Sequence, residues 1–133
     1  MAPEARIIRA PVGAGELIDK ITILEIKVER IADPQKARNV ATELTLLRGI
    51  RAEAGLDGDE IARAADELRA VNTTLWDIED EIRACEARGD FGERFVALAR
   101  SVYLTNDRRS ALKKRIDLAV GSTIVEEKSY DHI

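Results

Sequence analysis

The chain has 133 residues, a formal net charge of −4, 35% charged residues and 4% aromatic residues. This length is typical of a single domain, 1–133, that buries roughly two-thirds of its unfolded surface. An acidic balance with few aromatic rings excludes generic nucleic-acid binding, which requires a positive surface and often aromatic stacking platforms. The sequence also lacks the ~20 consecutive apolar residues that a membrane span needs.

Cysteine usage and the N-terminus indicate the compartment. Cys85 is the only cysteine, so the chain cannot form an internal disulfide, which is typical of a protein from a reducing environment. The first residues, Met1 to Arg6, include charged side chains and do not resemble a signal peptide. We therefore expect a cytoplasmic protein that does not associate with membranes.

In chain order, the pattern predicts an N-terminal arm (1–14), four helices and a C-terminal tail (122–133). The predicted helices are about 15–31, 34–54, 59–88 and 91–120. Asp33 is the predicted N-cap of the second helix, with Pro34 at its first position. Asp90 with Glu93 predicts a capping box at the start of the fourth helix. Gly121 is expected to end that helix.

Apolar residues repeat at spacings of three and four along each predicted helix, which is typical of a bundle. These apolar stripes are Leu17, Ile21, Leu24, Val28 and Ile31; Ala37, Val40, Leu44 and Leu47; Ala64, Leu68, Val71, Leu75, Ile78, Ile82 and Cys85; and Phe91, Phe95, Leu98, Val102, Leu112 and Ile116. A short turn makes the third and fourth helices an antiparallel hairpin, along which the first two are expected to pack.

The predicted fold is therefore all-α: a four-helix, mostly antiparallel bundle with a long hairpin of its third and fourth helices. Short extended arms flank it. The segments 6–12 and 123–125 have β-capable sequences, and we expect them to pair with each other or with a second copy.

Polar residues interrupt this pattern at positions that should face the core. Thr105 and Arg109 lie on the fourth apolar stripe, and a second stripe on the third helix carries Asn72, Trp76, Glu79 and Arg83. A charge that faces a core must be paired, so Arg109 is expected to contact Glu79 or Asp19. The predicted buried polar layer is Asp19, Asn72, Glu79, Thr105 and Arg109.

This layer has two interpretations. A buried polar layer fixes helix register in coiled coils. Alternatively, it lines a ligand pocket between the helices, where bundles place their sites. Such a pocket would bind an anionic small molecule such as a nucleotide-sugar. Its predicted lining is Trp76, Asp80, Arg100, Tyr103, Asn106 and Arg109.

Two acidic pairs at a spacing of three support a different alternative. Glu16 with Asp19, and Asp77 with Asp80, place oxygen ligands of the kind that Mg²⁺ prefers on two helices. All-helical nucleotide pyrophosphatases use such pairs, which the Glu16 to Asp19 segment matches loosely. This interpretation predicts a magnesium-dependent nucleotide hydrolase. Otherwise no cofactor is expected.

Four segments distributed along the chain carry a resemblance to a known family. They are GELIDKITILEIK (15–27), LWDIED (75–80), ARSVYLTND (99–107) and EEKSY (126–130). Together they resemble an uncharacterised family of short, bacterial, all-helical proteins whose function is unknown. The resemblance implies a helical fold and no established activity, substrate or catalytic residue.

The leading prediction is a non-catalytic helical binding or interaction module. It is expected to self-associate through its long helices, with the extended tail 124–130 adding to that contact, or to bind a helical protein partner. The nucleotide-sugar pocket and the magnesium hydrolase are the alternatives.

Overall fold

A computed structural model describes residues 6–129, in which four α-helices follow one another. They are α1 (Ala14–Arg30), α2 (Pro34–Glu53), α3 (Asp59–Ala87) and α4 (Glu93–Ala119). This confirms the predicted all-α, four-helix bundle. The ends of the predicted arm and tail, 1–5 and 130–133, lie outside the described residues, and so does Tyr130 of the proposed tail contact.

Local sequence accounts for the start of α2 and the end of α4. The Asp33 carboxylate accepts a hydrogen bond from the Lys36 N–H at 2.9 Å, with Pro34 at the first helical position, so this predicted cap is confirmed. Gly121 follows α4 with a φ of 66°, a left-handed conformation that glycine adopts without strain. The predicted capping box at Asp90 is wrong. Asp90 accepts from the Gly92 N–H in the turn, and α4 begins only at Glu93.

The helices are not equivalent in the bundle, because α1 contacts each of the other three. α3 and α4 form the expected hairpin, and α1 packs against both of them. The expectation that α2 also lies along this hairpin is wrong. Among the described helices, α2 packs only on α1, and Leu44 is its only buried residue. One face of α2 therefore remains open.

Two apolar clusters of the core surround α1. One joins α1 to the hairpin through Ile18, Ile61, Ala64, Ala65, Leu68 and Ile116. The other joins α1 to α2 through Leu17, Ile21, Leu24 and Leu44. The predicted stripes supply most of these residues. Two predicted members, Val28 and Phe91, are instead exposed, because they lie near helix ends beyond the packed region.

The terminal segments do not form the expected strands, since the described part of the chain contains none. The tail instead contacts its own α4 through side chains. Lys114 pairs with Glu127 at 2.5 Å, and Lys128 pairs with Asp107 at 3.2 Å. The tail therefore folds back along the helix that it follows.

Candidate functional site

A buried ion pair joins α1 to α4 at the centre of the bundle. Asp19 is 1% exposed, and its two carboxylate oxygens accept hydrogen bonds from Arg109 Nε at 2.9 Å and Nη2 at 2.6 Å. Such a two-point contact fixes the plane of the guanidinium as well as its position. Of the two partners expected for Arg109, Glu79 and Asp19, the structure shows Asp19.

Side chains from α1 and α3 complete the coordination of this carboxylate. Asn72 Nδ2 donates to Asp19 Oδ1 and to the Thr22 hydroxyl oxygen, at 2.9 Å in both cases. The Thr22 hydroxyl donates to the backbone carbonyl of Asp19 at 2.7 Å. A buried polar group is tolerated when its hydrogen bonds are made, so this network removes most of the penalty of placing Asp19 in the core.

The pair also affects the protonation of Arg109. The hydrogen bond to Asp19 raises the pKa of the guanidinium above its ordinary value, and this effect outweighs the opposing effect of burial. Arg109 is therefore a fixed cation whose side chain remains 30% exposed. Its exposed part faces a cleft.

The cleft lies between α1, α3 and α4 and has a volume of about 570 Å³. That volume falls within the roughly 300–1,000 Å³ of typical small-molecule sites. Its apolar lining includes Ile23, Ile26, Leu75, Trp76 and Val102. Its polar lining consists of Asn72, Glu79, Asp80, Arg83, Asn106 and Arg109.

Trp76 occupies the wall of this cleft that α3 provides. The Arg30 guanidinium lies 6.0 Å from the centroid of its ring and donates a hydrogen bond to Asp77 at 2.6 Å. The hydrogen bond to Asp77 raises the pKa of Arg30 above its ordinary value. The indole is therefore held between the bundle and a paired arginine, which limits its rotamers.

A second buried carboxylate, Asp117, ties the first turn of α1 and the C-terminal tail to α4. It is 2% exposed, and its oxygens accept from the Gly15 N–H at 2.7 Å and the Glu126 N–H at 2.8 Å. Lys113, one turn earlier, pairs with Glu16 at 2.7 Å and with Glu126 at 3.1 Å. Burial lowers the pKa of Lys113, whereas the hydrogen bonds to Glu16 and Glu126 raise it. Together the hydrogen bonds and the nearby negative charges outweigh burial, so the pKa lies above its ordinary value.

The structure brings together four of the six residues predicted to line a ligand site: Trp76, Asp80, Asn106 and Arg109. Arg100 and Tyr103 are not part of this lining. Both are exposed on α4, because their positions point away from the stripe that contains Leu98 and Thr105.

The predicted polar layer is formed by four of its five members. Asp19, Asn72 and Thr105 are buried, and Arg109 is partly buried beside them. Glu79, the fifth predicted member, is not buried. Its side chain is 49% exposed and lies 3.9 Å from Arg83 on the same helix. It occupies the rim of the cleft, where water solvates a carboxylate.

The predicted magnesium ligands do not form a cluster. Within 6–129, no three histidine, cysteine, aspartate or glutamate side chains lie close enough together to hold a metal ion. Asp19, Glu16 and Asp77 are each paired with a cation, Arg109, Lys113 and Arg30 respectively. The hydrolase alternative, which depends on these carboxylates, stays a prediction.

Sequence reasoning missed the cluster around Asp117 and Lys113. The signal was present in the spacing, because Arg109, Lys113 and Asp117 recur every four residues and share one face of α4. Gly13 and Gly15 were a second signal. A Cβ on Gly13 would lie 2.7 Å from the Ile124 carbonyl oxygen, and one on Gly15 would lie 2.8 Å from the Lys113 carbonyl carbon.

Fold and site together define an all-helical bundle protein with an interhelical cleft above a buried, ion-paired polar core. The chain belongs to the family of unknown function DUF6165, whose model matches residues 8–133. No curated protein and no solved structure matches it. Within residues 6–129, none of the four helices is long and apolar enough to cross a bilayer.

Proposed function

We propose that the protein is a non-catalytic binding module that holds a small molecule in the cleft between α1, α3 and α4. One observation carries the proposal: a buried carboxylate, Asp19, fixes the guanidinium of Arg109 at the wall of a cleft of ligand size. A recognition group fixed before binding loses little conformational freedom when its ligand arrives.

The hydrogen-bonding capacity of this wall supports the proposal. A guanidinium has five N–H donors, and the contact with Asp19 uses two of them. Arg109 therefore retains donors for a ligand, and the Asn106 amide adds both donor and acceptor groups three residues earlier on α4. These groups match an oxygen acceptor such as a carboxylate, a carbonyl or a phosphate.

The apolar part of the cleft lining favours an apolar or aromatic ligand body. Trp76 presents its ring there, with Leu75 on the same helix, Ile26 on α1 and Val102 on α4. An aromatic side chain supplies a large contact area and loses few rotamers on binding. The combination fits a flat or apolar molecule with one polar end.

The charges near the cleft limit how negative this ligand can be. Arg109 is paired with Asp19, and Arg83 lies near Glu79. Among the described residues Asp80 forms no ion pair, and the Arg30 guanidinium that attracts its charge is already bonded to Asp77. A polyanion would approach Asp80 without an unpaired cation to balance the repulsion. We therefore propose a single acceptor group in preference to a diphosphate, with a nucleotide-sugar kept as a comparison in the test.

The polar side chains of the lining support a binding role. Its amides and guanidinium groups are hydrogen-bonding groups, and no serine, cysteine, histidine or lysine of the lining stands beside the carboxylates Glu79 and Asp80 to form a nucleophile–base pair with them. We place this binding role in the cytoplasm, on the basis of the single buried thiol of Cys85.

Trp76 supplies the readout for the test, because it is the only tryptophan and it lines the cleft. Its fluorescence would be titrated with four probes: phenylpropionate, its neutral amide, phenylpropylamine and a uridine diphosphate sugar. We expect saturable changes with the carboxylate and the amide. Asn106→Leu should abolish them, whereas Asn39→Leu on the outer side of α2 should not.

Two results would contradict the proposal. One is a folded wild-type protein whose Trp76 emission and melting temperature respond to none of the probes. The other is a response that Asn106→Leu and Asn39→Leu preserve equally, since such binding would occur outside the cleft. A response to the uridine diphosphate sugar alone would retain the site but overturn the preference for a single acceptor group.

A further inference from the structure

A second cleft lies between the N-terminal arm, the first turns of α1, and α2. It has a volume of about 890 Å³. Its apolar walls are formed by Ile7, Ile8 and Val12 from the arm and by Leu46, Leu47 and Ile50 from α2. Ile8 is 88% exposed, which is extreme for an isoleucine in a folded chain. Apolar side chains grouped in this way mark a contact surface.

This surface exists because α2 has one partner within the chain. Leu44 points toward α1, whereas Leu46 and Ile50, two and six positions further on, lie on flanking faces of α2 and remain 45% and 43% exposed. The hairpin of α3 and α4 does not reach those faces. α2 consequently carries apolar residues on a face that its own fold leaves open.

The two walls of the cleft carry opposite charges. The arm contributes Arg9, with Arg6 exposed beside it, whereas α2 contributes Glu43 and Glu53. Lys20 of α1 pairs with Glu43 at 3.1 Å, but no ion pair among the described residues involves Glu53. A cationic apolar wall therefore faces an anionic apolar wall.

We propose that this surface is where a second copy of the chain docks. A two-fold axis repeats each contact, so it places the arm of each protomer against α2 of the other. Arg9 then meets the partner's Glu53 twice, and Ile8 covers the partner's Leu46 and the partner's Ile50. Because the two walls carry opposite charges, a two-fold axis places unlike charges opposite each other at both contacts. This interface is distinct from the ligand cleft, which lies on the hairpin side of α1.

The first test measures mass against concentration by analytical ultracentrifugation. We expect wild-type protein to form dimers, and Ile8→Glu and Ile50→Glu to sediment as monomers with unchanged helicity. Leu118→Glu is the matched control, because Leu118 is a 61% exposed apolar residue on α4 outside this cleft. A wild-type protein that remains monomeric throughout, or a dimer that only Leu118→Glu disrupts, would overturn the proposal.

A charge exchange tests whether the contact is between chains. Arg9→Glu and Glu53→Arg should each weaken the dimer at least about tenfold, since each creates two symmetry-related repulsions. An equimolar mixture of the two variants should recover dimerisation. In the mixed dimer one contact joins the two introduced side chains and the other joins the two native ones, so both contacts pair opposite charges. A chain that carries both Arg9→Glu and Glu53→Arg restores the opposite charges within one molecule. If this double variant recovered dimerisation and the mixture did not, the contact would lie within one chain, and the docking of a second copy would be refuted.

Discussion

Asp19 and Arg109, 90 positions apart in the chain, form the ion pair that connects α1 to α4. Their environments differ sharply, since the Asp19 side chain is 1% exposed and that of Arg109 is 30% exposed. Removing either partner therefore has unequal consequences. Without Arg109, a charged carboxylate remains in the core, whereas without Asp19 the guanidinium can still contact water through the cleft.

We predict that Arg109→Met lowers the free energy of unfolding by about 3–5 kcal/mol, the usual consequence of leaving a buried charge unpaired. Asp19→Asn should lower it by less. The variant that combines Asp19→Asn with Arg109→Met should recover more than half of the unfolding free energy that Arg109→Met loses. It removes both charges and keeps an oxygen acceptor for Asn72. Urea unfolding at neutral pH provides the comparison.

The opposite outcome would also be informative. If Arg109→Met raised the urea midpoint, the ion pair would destabilise the fold, and the arginine would be retained for its ligand. An unchanged midpoint would contradict the buried pair itself. Arg115→Met is the control, since it removes an arginine from an exposed pair with Glu67.

The sequence was sufficient to locate the helices, because apolar spacing and the Asp33–Pro34 cap are local signals. It was not sufficient to identify what each stripe packs against. The stripe through Leu44 indicates that one face of α2 is buried, but periodicity does not reveal whether α1 or the hairpin covers it. That choice depends on the three-dimensional arrangement of the whole chain.

The site shows the same limit at the level of side chains. The position of Arg109 on an apolar stripe required a partner, yet Asp19 and Glu79 were equally compatible with the spacing. Lys113 and Asp117 were missed because lysine and aspartate usually lie on the surface. Their burial depends on the backbone approach at Gly13 and Gly15, which no helical period encodes.

That close approach leads to a second prediction. Gly15→Ala should lower the free energy of unfolding by about 1–3 kcal/mol or more, because the new methyl group would overlap the Lys113 backbone. Gly49→Ala is the matched control in the interior of α2, with no atom within 4 Å of the added Cβ. It should raise the free energy of unfolding by about 0.5–1 kcal/mol through helix propensity alone. Equal effects in thermal unfolding would contradict the tight contact.

The Asp117 carboxylate yields a third prediction, concerning the start of α1 and the C-terminal tail. Asp117→Asn replaces one acceptor oxygen with an NH₂ group that cannot accept from a backbone N–H. We expect a loss of about 1.5–3 kcal/mol, the range for hydrogen bonds to charged groups. Hydrogen exchange should accelerate at the Gly15 and Glu126 amides. Asp107→Asn, which removes a partly exposed partner of Lys128, should leave both amides protected.

The fourth prediction concerns alkaline pH. The folded-state pKa of Lys113 is raised, so the folded protein holds this proton more tightly than the unfolded chain does. Its stabilising contribution is thus fully present below the ordinary lysine pKa, near 10.4, and is lost as the pH rises through the folded-state value. Lys113→Met removes the contribution at every pH. The difference in urea midpoint between wild type and this variant should therefore be constant from pH 7 to about 10 and shrink above it.

Lys114→Met is the control for this titration, because Lys114 is the neighbouring lysine, is more exposed and also pairs with the tail, through Glu127. Its difference from wild type should be small throughout the range, since exposed pairs contribute about 0–1 kcal/mol. If the two variants gave identical curves, the contribution of Lys113 would not depend on its burial between Glu16 and Glu126. The attachment of the tail to α1 would then rest on Asp117 alone.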